Sequence, residues 1–367
     1  MSDPRLQKLA KVLVNYSLGI KKGQLLKIQT EPIAAPLTLA IYEEALRQGA
    51  NVFIDTAYID TREVLLRHGS DEQIMYYSPL KQLEVEKIDA MLSIWGTTNT
   101  KFLSGVDPLR QQLMSKAGRP YLERFFARQA EGSLHWCGTQ FPTEAHAQDA
   151  EMSLREYEDF VYNAGHLHED EPVLYWCNVE KEQGRLIKIL DQVDQLHLRS
   201  NGTDLKLRAK GRKWINCCGH ENFPDGEIFT SPLEDSVNGT IRYTFPAFYG
   251  GREVQGVKLT FKDGVIADAS AEKDEAFLHS MLGTDEGSKR LGEFAIGTNY
   301  EVQRFTKNTL FDEKIGGTCH LAIGASFPEA GGVNKSGIHW DMVCDLKSGG
   351  EIIADGKVIY SNGAFTI

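Results

Sequence analysis

A short segment near the end of the sequence places two good metal ligands one residue apart. In His339-Trp340-Asp341, a β-strand would turn His339 and Asp341 to one face and Trp340 to the other, because successive side chains of a strand alternate. Imidazole nitrogens and carboxylate oxygens are both common ligands of divalent cations. The segment therefore indicates half of a metal site, although a strand with a solvent-facing histidine and aspartate would give the same pattern.

A second histidine lies in another predicted strand, residues 317–324. Cys319, Leu321 and Ile323 form its apolar face, whereas His320 shares the opposite face with Ala322. The small neighbouring side chain leaves room for an ion beside the imidazole. An ordinary surface histidine is the alternative interpretation.

Three glutamates stand in settings that favour coordination or pairing. Glu227 follows a turn and begins an apolar run, and Glu293 interrupts a hydrophobic strand. Glu313 precedes His320 in a glycine-rich stretch and could supply another oxygen. A carboxylate in an apolar run costs free energy unless it is paired or coordinated, and a charge on an edge strand is the alternative for Glu227 and Glu293. Two histidines with three or more carboxylates are the ligand mixture of a two-metal hydrolase.

The first half of the sequence alternates predicted strands and helices. A strand over residues 24–29, a helix over residues 34–48 and a strand over residues 51–56 form a strand–helix–strand unit, which is typical of a parallel sheet. The further elements predicted here are a strand over 89–95, a helix from Asp107-Pro108 onwards, a strand over 134–137 and a helix-rich stretch over 145–164.

An acidic segment that contains proline, residues 166–173, marks a predicted domain boundary. We expect an α/β domain with a mostly parallel sheet over residues 1–170 and a metal-binding domain over residues 171–367. In the second domain, Asn201-Gly202 and Asp263-Gly264 are hairpin signals between short alternating runs. This domain is therefore predicted to be α+β and rich in antiparallel strands.

Composition excludes several classes of protein. The 40 Lys and Arg residues against 51 Asp and Glu residues give a net charge of −11, which disfavours binding to a nucleic-acid backbone. The sequence shows no signal-peptide pattern and no apolar run of the ~18 residues that span a bilayer, so we expect a cytoplasmic protein without membrane contacts. The six cysteines include no CxxC pair and are expected to be free thiols.

Several motifs, in this order, resemble those of the M29 metallo-aminopeptidase family. They are NFPDGEIFTSP, RLGEFAIGTN, NTLFDEKIGGTCHLAIG and GIHWDMVCDL, preceded in the first half by FPTEAHAQDAEMSLREYEDF. The resemblance covers nearly the whole chain. It implies an α/β domain joined to a distinct metal-bearing domain, and homodimers that partly enclose the site.

The resemblance also implies two divalent ions, of zinc, cobalt, magnesium or manganese, and hydrolysis of short peptides from a free N-terminus. A bridging hydroxide would attack the first peptide carbonyl, and Glu227 or Glu293 would carry the proton to the leaving amine. Carried over motif by motif, the metal ligands would be Glu227, Glu293, Glu313, His320, His339 and Asp341.

One position departs from the family pattern. The family has a tyrosine seven residues after its histidine, and this chain has Phe327 there. Phenylalanine lacks the hydroxyl that could stabilise an oxyanion, and losing one such donor costs ~10²–10³ in rate in other hydrolases. A catalytically weakened peptide- or metal-binding homologue is therefore one alternative, and Tyr249 is a candidate replacement donor. A non-haem iron oxygenase is another, because His-x-Asp with a distal histidine is a facial triad.

Overall fold

The computed structural model describes residues 3–367, which form two units. One unit contains the chain up to Val173 together with Gly219–Pro224, and the other contains Leu174–Cys218 and Asp225–Ile367. The domain ranges 1–170 and 171–367 stay a prediction, because this division does not test independent folding or function.

Helices dominate the chain as far as Leu190. They are α1 (Pro4–Lys11), α2 (Ala35–Arg47), α3 (Asp60–His68), α4 (Asp71–Met75), α5 (Pro79–Lys87), α6 (Pro108–Ala130), α7 (Glu144–Asp149), α8 (Leu154–Ala164) and α9 (Pro172–Leu190). The strands between them are β1 (Leu25–Thr30), β2 (Asn51–Thr56), β3 (Ala90–Trp95) and β4 (His135–Gln140).

Strands dominate the chain after Leu190. They are β5 (Gln195–Ser200), β6 (Thr203–Arg208), β7 (Ile215–Cys217), β8 (Asn222–Phe223), β9 (Glu227–Thr230), β10 (Asn238–Arg242), β11 (Ala247–Tyr249), β12 (Arg252–Val254), β13 (Lys258–Lys262), β14 (Val265–Ser270), β15 (Leu291–Gly297), β16 (Thr318–Gly324), β17 (His339–Asp345), β18 (Glu351–Ala354), β19 (Lys357–Ser361) and β20 (Ala364–Phe365). The helices among them are α10 (Glu275–Leu282) and α11 (Thr309–Asp312).

The first unit is built on a parallel sheet with the strand order β2-β1-β3-β4-β8. The predicted α/β architecture is therefore confirmed. Asp107 caps α6 by accepting a hydrogen bond from the backbone N–H of Leu109, with Pro108 in the first turn, as the sequence predicts.

The helix-rich stretch predicted over residues 145–164 consists of two helices, α7 and α8. Glu151 between them has a left-handed φ of 57°. Ser153 then begins α8 with a capping box to Glu156.

The second unit contains two antiparallel sheets, which confirms its predicted character. In one, the strand order is β14-β13-β10-β6-β5-β18-β19-β20, and the hairpins at Asn201-Gly202 and Asp263-Gly264 form as predicted. In the other, the order is β17-β16-β15-β9-β7. Within residues 3–367, no helix combines the length and apolar character needed to cross a membrane, and the six cysteines are free thiols.

The sheet β17-β16-β15-β9-β7 separates an apolar core from a polar face. Cys319, Leu321 and Ile323 of β16 and Trp340 of β17 lie within the core. Because side chains alternate along each strand, the neighbouring positions of the same strands point to the opposite face. That face holds five of the six residues predicted to bind metal, whereas the sixth, Glu313, directly follows α11.

Candidate metal centre

Strand register brings the predicted ligands onto one face of this sheet. Glu293 of β15 lies opposite Ala322 of β16, and Ala322 lies opposite Asp341 of β17. Directly opposed residues of an antiparallel sheet share a face, so the small Ala322 side chain leaves a space between the two carboxylates. His320 lies two positions before Ala322, on the same face, as predicted.

One cluster consists of Glu293, His339 and Asp341. His339 Nε2 lies 3.1 Å from Glu293 Oε2 and 3.3 Å from Asp341 Oδ1. His339 Nδ1 donates to the carbonyl of Ala325 over 2.8 Å, which orients the ring and leaves Nε2 directed at the carboxylates. We refer to these three residues as the first ligand group.

The other cluster consists of Glu227, Glu313 and His320. Each residue offers one potential ligand atom, and these three atoms lie within 4.8 Å of one another. His320 Nδ1 is 3.7 Å from Glu227 Oε2, and on the other edge of the ring Nε2 is 3.5 Å from Glu293 Oε1. This second ligand group therefore adjoins the first through one imidazole.

The donor atoms of the two groups fit divalent cations. Glu227 Oε2, His320 Nδ1 and Asp341 Oδ1 are buried and have no hydrogen-bond partner among the described residues. A buried polar atom without a partner costs free energy, and a bound cation would satisfy all three. Oxygen and imidazole nitrogen donors are compatible with zinc, cobalt, manganese and magnesium.

The charges of the site are strongly coupled. Although burial by itself disfavours the imidazolium, contacts with Glu293 raise the pKa of His320 to about 10. Burial also opposes the charge of His339, but Asp341 raises its pKa to about 12. Burial opposes ionisation of Asp341, yet the charge of His339 lowers its pKa below the ordinary value. Glu293 and Asp341 thus favour protonated imidazoles, and a metal ion must displace these protons, whereas burial raises the pKa of Glu313 well above the ordinary value.

Gly292, directly before the proposed ligand Glu293, allows the backbone of β15 to lie close to that of Ala325. The register between β15 and β16 shifts at Gly292, immediately before Glu293. A Cβ atom at Gly292 would lie 2.2 Å from the carbonyl oxygen of Ala325. No side chain fits at this bulge, which determines where Glu293 enters the site.

The interpretation of Glu293 as a charge on an edge strand is wrong. β15 lies between β16 and β9, and only 4% of Glu293 is exposed. Glu227, at the start of β9, is 5% exposed and also lies inside the sheet. Both carboxylates are buried, and their charges are compensated by the surrounding histidines and by a lysine.

That lysine, Lys314, was not identified from the sequence. Its ammonium lies 2.9 Å from Glu227 Oε1 and 2.8 Å from Glu313 Oε2. Its position directly after Glu313 was the one feature of the sequence that could have pointed to it. Adjacent lysine and glutamate residues usually lie on the solvated surface, so this feature did not indicate a buried ion pair. Burial of this part of the chain depends on contacts between distant strands.

The other sequence candidates lie outside the two ligand groups or contribute no ligand. The Phe327 ring packs against His339 with 5.0 Å between ring centroids. The Tyr249 ring lies 5.7 Å from that of Trp340, whose side chain is in the core. Cys217 lies opposite Glu227, and burial raises its pKa well above the ordinary value, which keeps the thiol protonated. His166, in the acidic segment between the two predicted domains, is buried.

A cavity opens onto both ligand groups. Glu313 and Asp341 contribute to its wall, together with Pro246, Phe248, Phe305, Lys307, Thr309, Asp312 and Val343. Its volume of about 30 Å³ accommodates an ion or a water molecule, and its wall includes one carboxylate of each group.

Comparison with known proteins finds relatives that match almost the whole chain. Aminopeptidase 2 of Geobacillus stearothermophilus is 29% identical over 97% of this chain and 95% of the relative. Aminopeptidase AmpS of Bacillus subtilis is 28% identical over 98% of each chain. The solved structure of wild-type AmpT from Thermus thermophilus has the same fold, with a TM-score of 0.84, 24% identity and 99% of each chain covered.

The family comparison extends over almost the whole sequence. Residues 2–365 match the family described as thermophilic metalloprotease (M29). The resemblance noted in the sequence motifs is therefore confirmed. This chain belongs to the M29 family of metalloproteases, which are metal-dependent peptide hydrolases.

Proposed function

We propose that this protein is an aminopeptidase that removes N-terminal residues from short peptides with the help of two divalent cations. The observation that carries the proposal is the pair of adjacent histidine–carboxylate groups on one sheet face, with three buried donor atoms lacking partners among the described residues. The proposed ligands are the six residues of the two groups: Glu227, Glu293, Glu313, His320, His339 and Asp341.

Cations bound there would polarise the peptide carbonyl and lower the pKa of an attacking water. A free α-amino group would bind a cation or an acidic side chain, which would restrict cleavage to the end of a peptide. An internal peptide bond has no such group. The curated relatives carry the name aminopeptidase, which supports this restriction.

Glu227 or Glu293 would carry the proton to the leaving amine. Glu227 Oε1 is paired with Lys314, and both oxygens of Glu293 lie near imidazole nitrogens. Imidazole contacts lower the pKa of Glu293 although burial opposes this. Glu293 therefore serves better as a permanently ionised ligand than as a base.

The test compares free and blocked peptides. The purified protein should release free amino acids from unblocked short peptides and spare the same peptides after N-acetylation. A chelator should abolish release, and added divalent cations should restore it. Cleavage of the N-acetylated peptides at an equal rate would contradict the aminopeptidase assignment, and activity that survives exhaustive chelation would contradict the metal-dependent mechanism.

A catalytically weakened homologue is the second candidate, and Phe327 favours it. The ring lies beside His339 but carries no hydroxyl to donate to an oxyanion. In that case calorimetry would show cation binding while unblocked peptides remain uncut. An iron oxygenase is less well supported, because a facial triad uses one carboxylate, whereas four surround the two histidines here.

The cytoplasmic location and the homodimer stay predictions. One structural feature supports association of two copies through the first unit. β2 is an edge strand of its sheet, and Phe53 and Ile54 on it are exposed by 44% and 37%. Apolar side chains on an open strand edge favour pairing with a second chain.

A further inference from the structure

Lys314 places a positive charge inside one ligand group. Its ammonium contacts Glu227 Oε1 and Glu313 Oε2, and only 4% of its side chain is exposed. Lysine is not one of the six proposed ligands, so this ammonium is a cation that the group holds in addition to His320.

The first ligand group contains no such additional cation. Glu293 and Asp341 form ion pairs only with the proposed ligands His320 and His339, and no lysine or arginine within residues 3–367 pairs with either carboxylate. The difference matters because a histidine can itself bind a metal ion, whereas an ammonium has no lone pair to offer. Lys314 therefore competes with a cation for the oxygens of Glu227 and Glu313.

We propose that Lys314 makes the two ligand groups unequal, so that Glu293, His339 and Asp341 bind the first divalent cation tightly and the second group binds another at least about tenfold more weakly. This inference rests on the proposed metal site. A cation beside Glu227 and Glu313 must weaken two charged hydrogen bonds and approach a like charge in a buried environment, where such repulsion is poorly screened.

The orientation of Glu227 allows the weaker site to exist. Its Oε1 atom is held by Lys314, but Oε2 faces His320 Nδ1 at 3.7 Å and neither of these two atoms has a hydrogen-bond partner among the described residues. A cation can thus enter between them without expelling Lys314. When it is absent, the lysine keeps Glu227 and Glu313 paired, so the site does not collapse through carboxylate repulsion.

The first experiment uses the full-length wild-type protein after removal of metal. Isothermal titration with Co²⁺ at neutral pH, with bound cobalt counted by mass spectrometry after dialysis, should resolve one tight ion and one weaker ion. The visible absorption of Co²⁺ reports the coordination of each. Two ions with equal affinity would overturn the inference.

Variants assign each affinity to a group. Glu293→Gln should remove the tight class, whereas Glu313→Gln should remove only the weak one. Lys314→Gln should bring the two dissociation constants to within a few-fold of each other. The control Lys357→Gln, at an exposed position of β19, should leave the ratio of the two constants unchanged. Loss of the tight class in Glu313→Gln, or an unchanged ratio in folded Lys314→Gln, would overturn the inference.

Two further measurements separate the possible failures. Circular dichroism shows whether Lys314→Gln folds, and if it does not, the wild-type and glutamate variants still decide the question. Peptide hydrolysis is assayed on the same samples. Unequal binding without hydrolysis would support the inference and contradict the proposed function, whereas hydrolysis with two equal ions would do the reverse. Failure of the wild-type protein to bind Co²⁺ would contradict both.

Discussion

Phe327 packs edge-on against His339, with 5.0 Å between the ring centroids and 76° between the ring planes. The phenylalanine therefore occupies a position beside a proposed ligand, where the family places a tyrosine. We predict that Phe327→Tyr raises kcat by about tenfold or more with little change in KM, because the added hydroxyl can donate to developing negative charge. Steady-state kinetics on an unblocked dipeptide measures the change.

Phe229 provides the matched control for this substitution. Its ring lies 4.9 Å from the Phe327 ring and belongs to the same small apolar cluster. Phe229→Tyr should leave kcat unchanged or lower it. No gain from Phe327→Tyr in a folded protein would mean that the hydroxyl is not the missing group.

Removing one carboxylate charge from the first ligand group should abolish most activity. Glu293→Gln retains the shape of the side chain but loses the charge that faces His320 and His339. We expect kcat/KM on unblocked peptides to fall at least about a hundredfold, because altered metal surroundings alone cost about 10–100-fold. The control Glu286→Gln, at an exposed position, should have the same kcat/KM as the wild type. An equal loss of kcat/KM in this variant would indicate that the substitutions act by destabilising the protein.

Metal affinity should increase with pH. In the ion-free protein, His320 and His339 have pKa values of about 10 and about 12, so both rings carry protons that a metal ion must displace. Raising the pH removes this competition, and each displaced proton should strengthen binding by about tenfold per pH unit. Co²⁺ titrations in buffers of different ionisation enthalpy count the protons released.

The variant His339→Gln tests the origin of this pH dependence. It removes one of the two titrating rings, so the number of protons released should fall by one. A Co²⁺ affinity that stays constant or falls between about pH 6 and about pH 8 would contradict the predicted coupling.

Gly292→Ala should destabilise the second unit and the metal centre together. The new methyl group would meet the Ala325 carbonyl oxygen at 2.2 Å, so the bulge beside Glu293 must move. We expect a loss of about 1–3 kcal/mol in the free energy of unfolding. Gly118→Ala, in α6 with no atom within 4 Å of the added Cβ, should be neutral or stabilising. Urea unfolding followed by circular dichroism compares the two.

Substitution of the exposed edge strand tests the homodimer. Phe53→Asp on β2 introduces a charge where a second copy would pair, so a dimer should dissociate in sedimentation velocity experiments. Val333→Asp changes an exposed apolar residue of the second unit and should leave the sedimentation coefficient unchanged. A wild-type protein that is monomeric at micromolar concentration would contradict this prediction.

Alternation within a strand was enough to predict the faces of the site. Cys319, Leu321 and Ile323 lie in the core, and His320 and Ala322 share the other face, because the period of two is a local property of an extended backbone. The hairpins at Asn201-Gly202 and Asp263-Gly264 follow from local turn chemistry in the same way.

The boundary inside the helix-rich stretch over residues 145–164 was not predicted. Ser153 and Glu156 form the capping box that begins α8. This local pattern is present in the sequence and could have placed a second helix start there.

The sequence by itself determined the order of strands and helices, the face on which each strand carries its polar residues, and the family motifs that supply the proposed ligands. The tertiary structure decided that Glu293 lies in a central strand, that its neighbour across β16 is Asp341, and that Lys314 is buried between two glutamates. These facts depend on the register between strands distant in sequence and on the burial that results. No local pattern encodes either, because both arise only when the whole sheet is assembled.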